Sequence, residues 1–245
     1  MNAKRLLALV VLLTTMGSLA GCGRTFLIGR DQEIQIGREA AEDFERRNPV
    51  DRTSERARWM ARIGNRVAEA AQPPEYPYEF VLVREDVNNA FALPGGPIYV
   101  YDGLIDTLEA DEDRVAWVCG HEITHVRQQH AIQRVERAMG AQLLIQWLLG
   151  GATERDIATA VAGLSIQAYS RSNEFEADRL GVRFAAEAGY DPTAAIPVLD
   201  TFRELQGRDP SDFEILFHSH PGSTDRRDAV IEFIEENEYQ GRYYP

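Results

Sequence analysis

Residues 114–130 contain no proline, and in them Val115, Ala116, Trp117, Val118, Cys119, Ile123 and Val126 surround the pentapeptide His121-Glu122-Ile123-Thr124-His125. This apolar pattern predicts a helix covered on most of its faces. Such a helix carries three ionisable side chains inward, where each needs a partner or a metal ion. The i, i+4 spacing sets His121 and His125 one turn apart on one face, so both imidazoles reach a single Zn²⁺. Glu122 lies about 100° further round the helix, beside that ion but not a ligand to it, where it can act on a water. Whatever fold the chain adopts must bring a further ligand to this helix, because a catalytic zinc takes three protein ligands and keeps a fourth position open.

Two sources of that ligand compete. A third histidine following the same helix would require glycine at position 128 and histidine at position 131; the chain has Gln128 and Ala131 there. His130 then reads as a residue near the helix C-terminus, where a partial positive charge suits the dipole. The other source is a carboxylate on a later helix. Ser172-Asn173-Glu174-Phe175-Glu176-Ala177-Asp178-Arg179 offers Glu174 and Asp178 at i and i+4. Glu174 is placed to bind the metal and Asp178 to orient a ligand histidine through its free ring nitrogen. Glu176 points elsewhere, and is expected to be solvated or paired with an arginine.

The chain has 245 residues, 44% of them hydrophobic, and 39 acidic against 26 basic side chains for a net charge of −13. That length suits one domain with a sizeable core. The acidic balance argues against nucleic acid as a partner, since phosphate binding needs a basic face. The N-terminus begins with Lys4 and Arg5, continues through the apolar run Leu6 to Leu13, and reaches Leu19-Ala20-Gly21-Cys22. A positive start, a short apolar stretch and small residues describe a secretory signal over residues 1–21. Its end resembles a bacterial lipobox, which implies a lipidated Cys22 and a tether over residues 22–30. Acyl chains add about 0.8 kcal/mol per buried CH₂, so several of them anchor firmly. Gly23 in place of aspartate points, by the same analogy, to the periplasmic side of the outer membrane. Cys119, the other cysteine, reads as a small buried hydrophobe.

No internal repeat or linker interrupts the remainder, so residues 31–245 are expected to form one domain. Helices are predicted over Asp31–Arg47, with Asp31 as N-cap, and over Ser54–Ala71. Strands follow at Tyr78–Val83, Ala90–Leu93 and Ile98–Tyr101, the last two joined by Pro94-Gly95-Gly96-Pro97. Further helices are expected at Leu104–Leu108, from Glu112 to about His130, at Ile132–Leu149, and from Ile157 to Ala188 with a break near Ser170. The last two are Pro192–Leu205 and Asp225–Glu236. A small sheet among helices is an α+β layout.

His121–His125 followed by Glu174-x-x-x-Asp178 resembles the M48 metallopeptidases, the gluzincin group that includes the HtpX and BepA proteins, and most of all its short periplasmic lipoproteins such as LoiP. Other segments share the likeness: Gln32-Glu33-Ile34-Gln35-Ile36-Gly37-Arg38-Glu39 resembles the family's N-terminal helix. Asn89-Ala90-Phe91-Ala92-Leu93-Pro94-Gly95-Gly96 with Ile98-Tyr99-Val100 resembles its hairpin, and His220-Pro221 with Arg226 its C-terminal element. The likeness spans roughly residues 30–235.

The resemblance implies a zincin-like domain holding one Zn²⁺ on His121, His125 and Glu174, with Glu122 as general base and then general acid. It implies that Asn89, Ala90, Phe91 and Ala92 form an edge strand to which an extended substrate adds antiparallel. For His220 it leaves two roles open: a donor to the oxyanion, or a fourth zinc ligand that keeps the enzyme latent. Arg226 would orient this loop or stabilise transition-state charge, unless it is a surface arginine paired with Asp225 or Asp228. The implied function is a zinc endopeptidase acting on unfolded or misassembled envelope proteins, with association with the outer-membrane assembly machinery. The alternative is a largely latent scaffold working as a chaperone or assembly factor.

Overall fold

The computed structural model describes residues 28–73, 76–137, 169–206, 220 and 224–244. The signal segment, Cys22, most of the 132–149 helix, the first half of the 157–188 helix and Pro221 lie outside the described residues.

The chain runs α1 (Arg30–Glu45), β1 (Val50–Asp51), α2 (Glu55–Ala70), β2 (Glu79–Val83), β3 (Ala90–Ala92), β4 (Pro97–Tyr101), α3 (Asp102–Thr107) and α4 (Glu112–Arg127). After these come α5 (Arg171–Glu187), a 3₁₀ turn at Pro192–Ala194, α6 (Ala195–Gln206) and α7 (Thr224–Glu236). This is the expected mainly helical α+β arrangement. None of the described helices is long and apolar enough to cross a membrane.

The four strands lie in the order β1-β2-β4-β3, with β2 and β4 parallel and the other two pairs antiparallel. Alternation of side chains along the strands gives the sheet two apolar faces. Phe80, Leu82, Ala90, Ala92, Ile98 and Val100 face the layer built from α2, α4 and α5. Val81, Val83, Tyr99 and Tyr101 join Ile36, Ala40 and Ala41 of α1 on the other side. With both faces covered, β2 and β4 read as unbroken apolar runs.

Most boundaries differ from expectation by a few residues, and those at the N-terminal end have a visible cause. Helix α1 starts at Arg30 with its N-cap at Gly29, two residues before the expected Asp31, because Gln32 Oε1 accepts the Gly29 backbone N–H at 3.0 Å. Ile28, assigned to the tether, is fully buried, and its backbone N–H donates to Glu136. The β1 strand at Val50–Asp51 was missed: a two-residue strand just after Pro49 has no periodicity to detect.

The role of α1 is to seat the hairpin turn between β3 and β4. A Cβ on Gly37 would fall 1.7 Å from the Pro94 carbonyl oxygen, so only glycine lets the turn lie on the helix. Glu33 is fully buried and accepts from Tyr76 Oη at 2.9 Å, Gln129 Nε2 at 2.7 Å and the Gly95 backbone N–H at 3.3 Å. One carboxylate thus ties together α1, the hairpin turn and the end of α4. Burial pushes its pKa up against these hydrogen bonds.

Candidate metal centre and active site

Helix α4 starts at Asp111, whose side chain accepts from the backbone of Asp113 at 3.0 Å and Arg114 at 3.2 Å. Helix α5 starts at Ser170, which accepts from the Asn173 backbone N–H at 3.3 Å. This cap sets where α5 begins; the part of the expected helix before Tyr169 lies outside the described residues. The two helices cross at glycines. A Cβ on Gly120 would lie 2.9 Å from the Gly181 carbonyl oxygen, and one on Gly181 would lie 3.0 Å from the His121 backbone nitrogen. With no side chains at the crossing, the backbones approach closely, and the face of α4 carrying His121 and His125 meets the face of α5 carrying Glu174 and Asp178.

The donor atoms converge. His121 Nε2 lies 3.0 Å from His125 Nε2 and 3.2 Å from His220 Nδ1. Glu174 is 3.5 Å from His125 Nε2, 3.7 Å from His121 Nε2 and 3.2 Å from His220 Nδ1. Tetrahedral sites with metal–nitrogen bonds near 2.05 Å space their donors about 3.3 Å apart, so the cluster has the dimensions of a metal centre. The proton inventory agrees. Asp178 Oδ1 sits 3.0 Å from His121 Nδ1, not aligned as a formed hydrogen bond but near enough to favour that ring's proton on Nδ1 and a lone pair on Nε2. That lone pair faces other acceptors in a buried space, an arrangement a cation relieves. His121, His125, Glu174 and His220 are all buried and together could hold one metal ion.

Glu122 Oε1 is 3.5 Å from His220 Nε2, while neither Glu122 Oε2 nor His220 Nε2 has a hydrogen-bond partner. Burial drives the Glu122 pKa upward, against the pull of His220 and His121. His125 is pushed well below the ordinary histidine value by burial and by the neighbouring imidazoles. His220 is held above the ordinary value, because Glu174 and Glu122 together outweigh the opposing effect of burial.

Arg226 is not the surface residue that sequence allowed. It is 2% exposed and clamps Asp178 with two hydrogen bonds, Nε to Oδ2 at 2.7 Å and Nη2 to Oδ1 at 2.6 Å, while Nη1 lies 2.9 Å from Glu174 Oε2. Asp225 pairs instead with Arg171. Burial alone would raise the Asp178 pKa; Arg226 and His121 more than offset it and hold it at about 2.

One other assignment is corrected. His130 does not cap α4. The helix ends at Arg127 because Gln129 takes a left-handed conformation, φ 53°, with its side chain held by Glu33. A helical run over residues 130–137 then brings His130 back beneath the metal centre, fully buried, with Nδ1 3.0 Å from His125 Nδ1. Glu176, expected solvated or paired with an arginine, is half-exposed, and among the described residues its partners are Gln128 Nε2 at 2.8 Å and His130 Nε2 at 3.3 Å in place of an arginine. Sequence reasoning also missed Tyr169, whose ring stacks on His125 at 3.8 Å and 20°. No spacing rule relates that tyrosine to the pentapeptide. Cys119 is buried, as expected, and burial pushes its thiol pKa up.

Strand β3 is an edge among the described residues. The Leu93 N–H donates to the Pro97 carbonyl at 2.8 Å and the Tyr101 N–H to the Asn89 carbonyl at 3.0 Å. Asn89, Phe91 and Leu93 therefore face β4 with their backbone groups, while those of Ala90 and Ala92 point away from it, and the Ala92 N–H is taken by the Glu122 carboxylate. A small cavity of about 20 Å³ lined by Ala90, Leu104, Val118 and Phe202 lies beside Glu122 and His220.

Residues 54–234 match the Peptidase family M48 profile. The chain belongs to peptidase family M48. It is 30% identical over 195 residues to the beta-barrel assembly-enhancing protease of Yersinia pestis, an alignment covering 75% of this chain and 39% of that protein. It is 32% identical over 150 residues to the mitochondrial metalloendopeptidase OMA1 of Arabidopsis thaliana, covering 61% of this chain and 30% of that one. Against the metalloprotease YcaL of Escherichia coli K12 the identity is 26% over 258 residues, covering 95% and 98%. The chain thus spans less than half the length of the first two relatives and nearly all of the third.

Proposed function

We propose that this M48 protein is a zinc endopeptidase anchored at the bacterial envelope through lipid on Cys22, on the periplasmic side of the outer membrane, where it cleaves unfolded or misassembled envelope proteins. The observation that carries the catalytic part is the convergence of His121, His125, Glu174 and His220 beside a buried Glu122 carboxylate with an unpartnered oxygen. Three imidazoles and one carboxylate are nitrogen and oxygen donors of the kind zinc favours, which supports the zincin-like reading. His121, His125 and Glu174 would hold the ion, with Asp178 and Arg226 keeping His121 and Glu174 in place. When bound, Zn²⁺ supplies Lewis acidity toward a water and the scissile carbonyl.

The chain's own residues do the rest. Glu122 takes the water proton at its free oxygen and later passes it to the leaving amine. Asn89, Ala90, Phe91 and Ala92 present an extended edge, on which the outward N–H and C=O of Ala90 and the C=O of Ala92 pair with substrate backbone, the Ala92 N–H being held by Glu122. Recognition of that kind is indifferent to most side chains and suits unfolded polypeptides. The names of the assembly-enhancing relatives support association with outer-membrane assembly machinery. The test is zinc content and cleavage of a disordered protein by the purified full chain. One zinc per chain and cleavage abolished by a chelator and restored by zinc are expected; a zinc-loaded chain that cleaves nothing, even as His220→Ala, would sink the reading.

The position of His220 favours a second state. Its Nδ1 lies within 3.2 Å of both His121 Nε2 and Glu174, the place a fourth ligand takes. That position supports a latent resting form, compatible with a chaperone or assembly role at rest. If the open form is 10% or less of the population, His220→Ala should raise the cleavage rate about tenfold or more. Loss of activity in that variant, measured with the same disordered substrate, would return His220 to oxyanion binding.

A further inference from the structure

We propose that Glu176 and His130 are positioning residues that fix the proton of His125 on Nδ1, leaving the Nε2 lone pair for the metal. The inference rests on His125 being a ligand, as proposed above.

His125 Nδ1 and His130 Nδ1 are 3.0 Å apart, so one ring must donate and the other accept. A neutral imidazole carries one N–H, and the choice is settled by what lies at the far side of His130. There Nε2 meets Glu176 Oε2 at 3.3 Å. An ionised carboxylate only accepts, so the His130 proton belongs on Nε2 and its Nδ1 becomes an acceptor. The His125 Nδ1 must then donate, and its Nε2, 3.0 Å from His121 Nε2 and 3.5 Å from Glu174, is left with a lone pair. Gln128 Nε2 holds the other oxygen of Glu176 at 2.8 Å, and Gln133 Nε2 donates to the Gln128 carbonyl at 2.7 Å, so the outer end of the chain is fixed as well. Tyr169 sets the plane of the His125 ring by stacking but carries no information about its proton.

The device depends on the helix break at Gln129, without which His130 would continue along α4 and miss His125. It also explains the spacing on α5. Glu174 is a ligand, Asp178 acts directly on His121, and Glu176 acts through one imidazole on His125. Three carboxylates at alternate positions of one helix define the metal centre. Metal-bound histidines ordinarily give their second N–H to a carboxylate, a carbonyl or a water; here a histidine relays the carboxylate's effect. The Glu176 side chain is 39% exposed, so replacing it opens no buried hole.

The experiment compares the purified full chain with Glu176→Gln and Glu176→Asp, each stripped of metal. Zinc affinity is read by competition with a chromophoric chelator, thermal midpoint by calorimetry, and the His125 tautomer by ¹⁵N–¹H side-chain correlation. The chain has five histidines, so His125 is assigned by His125→Ala. The wild type should show His125 protonated on Nδ1. Glutamine can donate to His130 and invert the chain, so Glu176→Gln should populate the Nε2-protonated form and bind zinc about 10- to 100-fold more weakly. Its metal-free midpoint should not change, and Glu176→Asp should recover part of the affinity by keeping a carboxylate. An unchanged His125 tautomer and unchanged zinc affinity in Glu176→Gln would overturn the inference while leaving the metal centre standing. If His125→Ala binds zinc as tightly as wild type, the ligand reading itself falls, and this inference with it.

Discussion

Glu122→Gln is expected to lower the cleavage rate by about 10²- to 10⁴-fold, the usual contribution of a positioned acid–base group, with one zinc still bound per chain. Glutamine matches glutamate in shape but takes up no proton, so the substitution removes the chemistry and keeps the volume. Glu122 is 2% exposed and is not counted among the converging donors, so zinc binding should survive. Folding should survive too, because a buried carboxylate with an unpartnered oxygen is replaced by a neutral group that costs less to bury. Comparison in the His220→Ala background removes any masking by the latent state. Cleavage within about threefold of the matched parent, at equal zinc content, would show that another group moves the proton.

The pentapeptide helix and its carboxylate partner were legible because helical periodicity is local: i and i+4 share a face whatever surrounds them. Glu174 and Asp178 were legible for the same reason, once the short supply of ligands on α4 demanded a source elsewhere. The sheet could be read from apolar runs and turn residues, and its edge from the family likeness. What could not be read depends on single backbone events. Gln129 in a left-handed conformation redirects the chain and turns His130 from a helix end into the neighbour of His125. Nothing in the residues Arg127-Gln128-Gln129-His130 announces this, since glutamine is not a usual helix stop. The cause lies about a hundred residues upstream, in the buried Glu33 carboxylate that accepts from the Gln129 side chain.

Long-range charge pairing was hidden in the same way. Arg226 could be named from the family likeness, but its partners could not, because Asp225 and Asp228 were nearer in sequence than Asp178 and Glu174. Burial decided the matter: a guanidinium taken out of water needs carboxylates at hydrogen-bond distance, and neighbours one or two residues away on a helix do not share its face. Phe91 and Tyr99 show the opposite case. They were placed on adjacent strands by pattern alone, and they meet directly across β3 and β4 with ring centroids 5.1 Å apart.

Removing the Arg226 guanidinium should have the largest effect on stability. Arg226→Met keeps much of the aliphatic volume and leaves Glu174 and Asp178, each 1% exposed, as two buried carboxylates without their counter-charge. Breaking a buried pair from one side costs about 3–5 kcal/mol, because the remaining charge stays out of water. Metal-free protein should show that loss at pH 7 by denaturant unfolding, and zinc should restore part of it by placing a new cation on Glu174. The pH dependence follows from Asp178. Its folded-state pKa of about 2 is below the ordinary carboxylate value, so in the wild type it contributes stability that is present above about pH 4 and disappears as pH falls toward 2. In Arg226→Met the burial effect is unopposed by the guanidinium, the Asp178 pKa rises, and the carboxyl takes up a proton at a higher pH. The gap between the two metal-free proteins should therefore narrow from pH 7 to pH 4, while the wild-type Asp178 is still ionised. A loss below about 1 kcal/mol, or a gap that does not change with pH, would mean that the clamp on Glu174 and Asp178 does not hold these helices together.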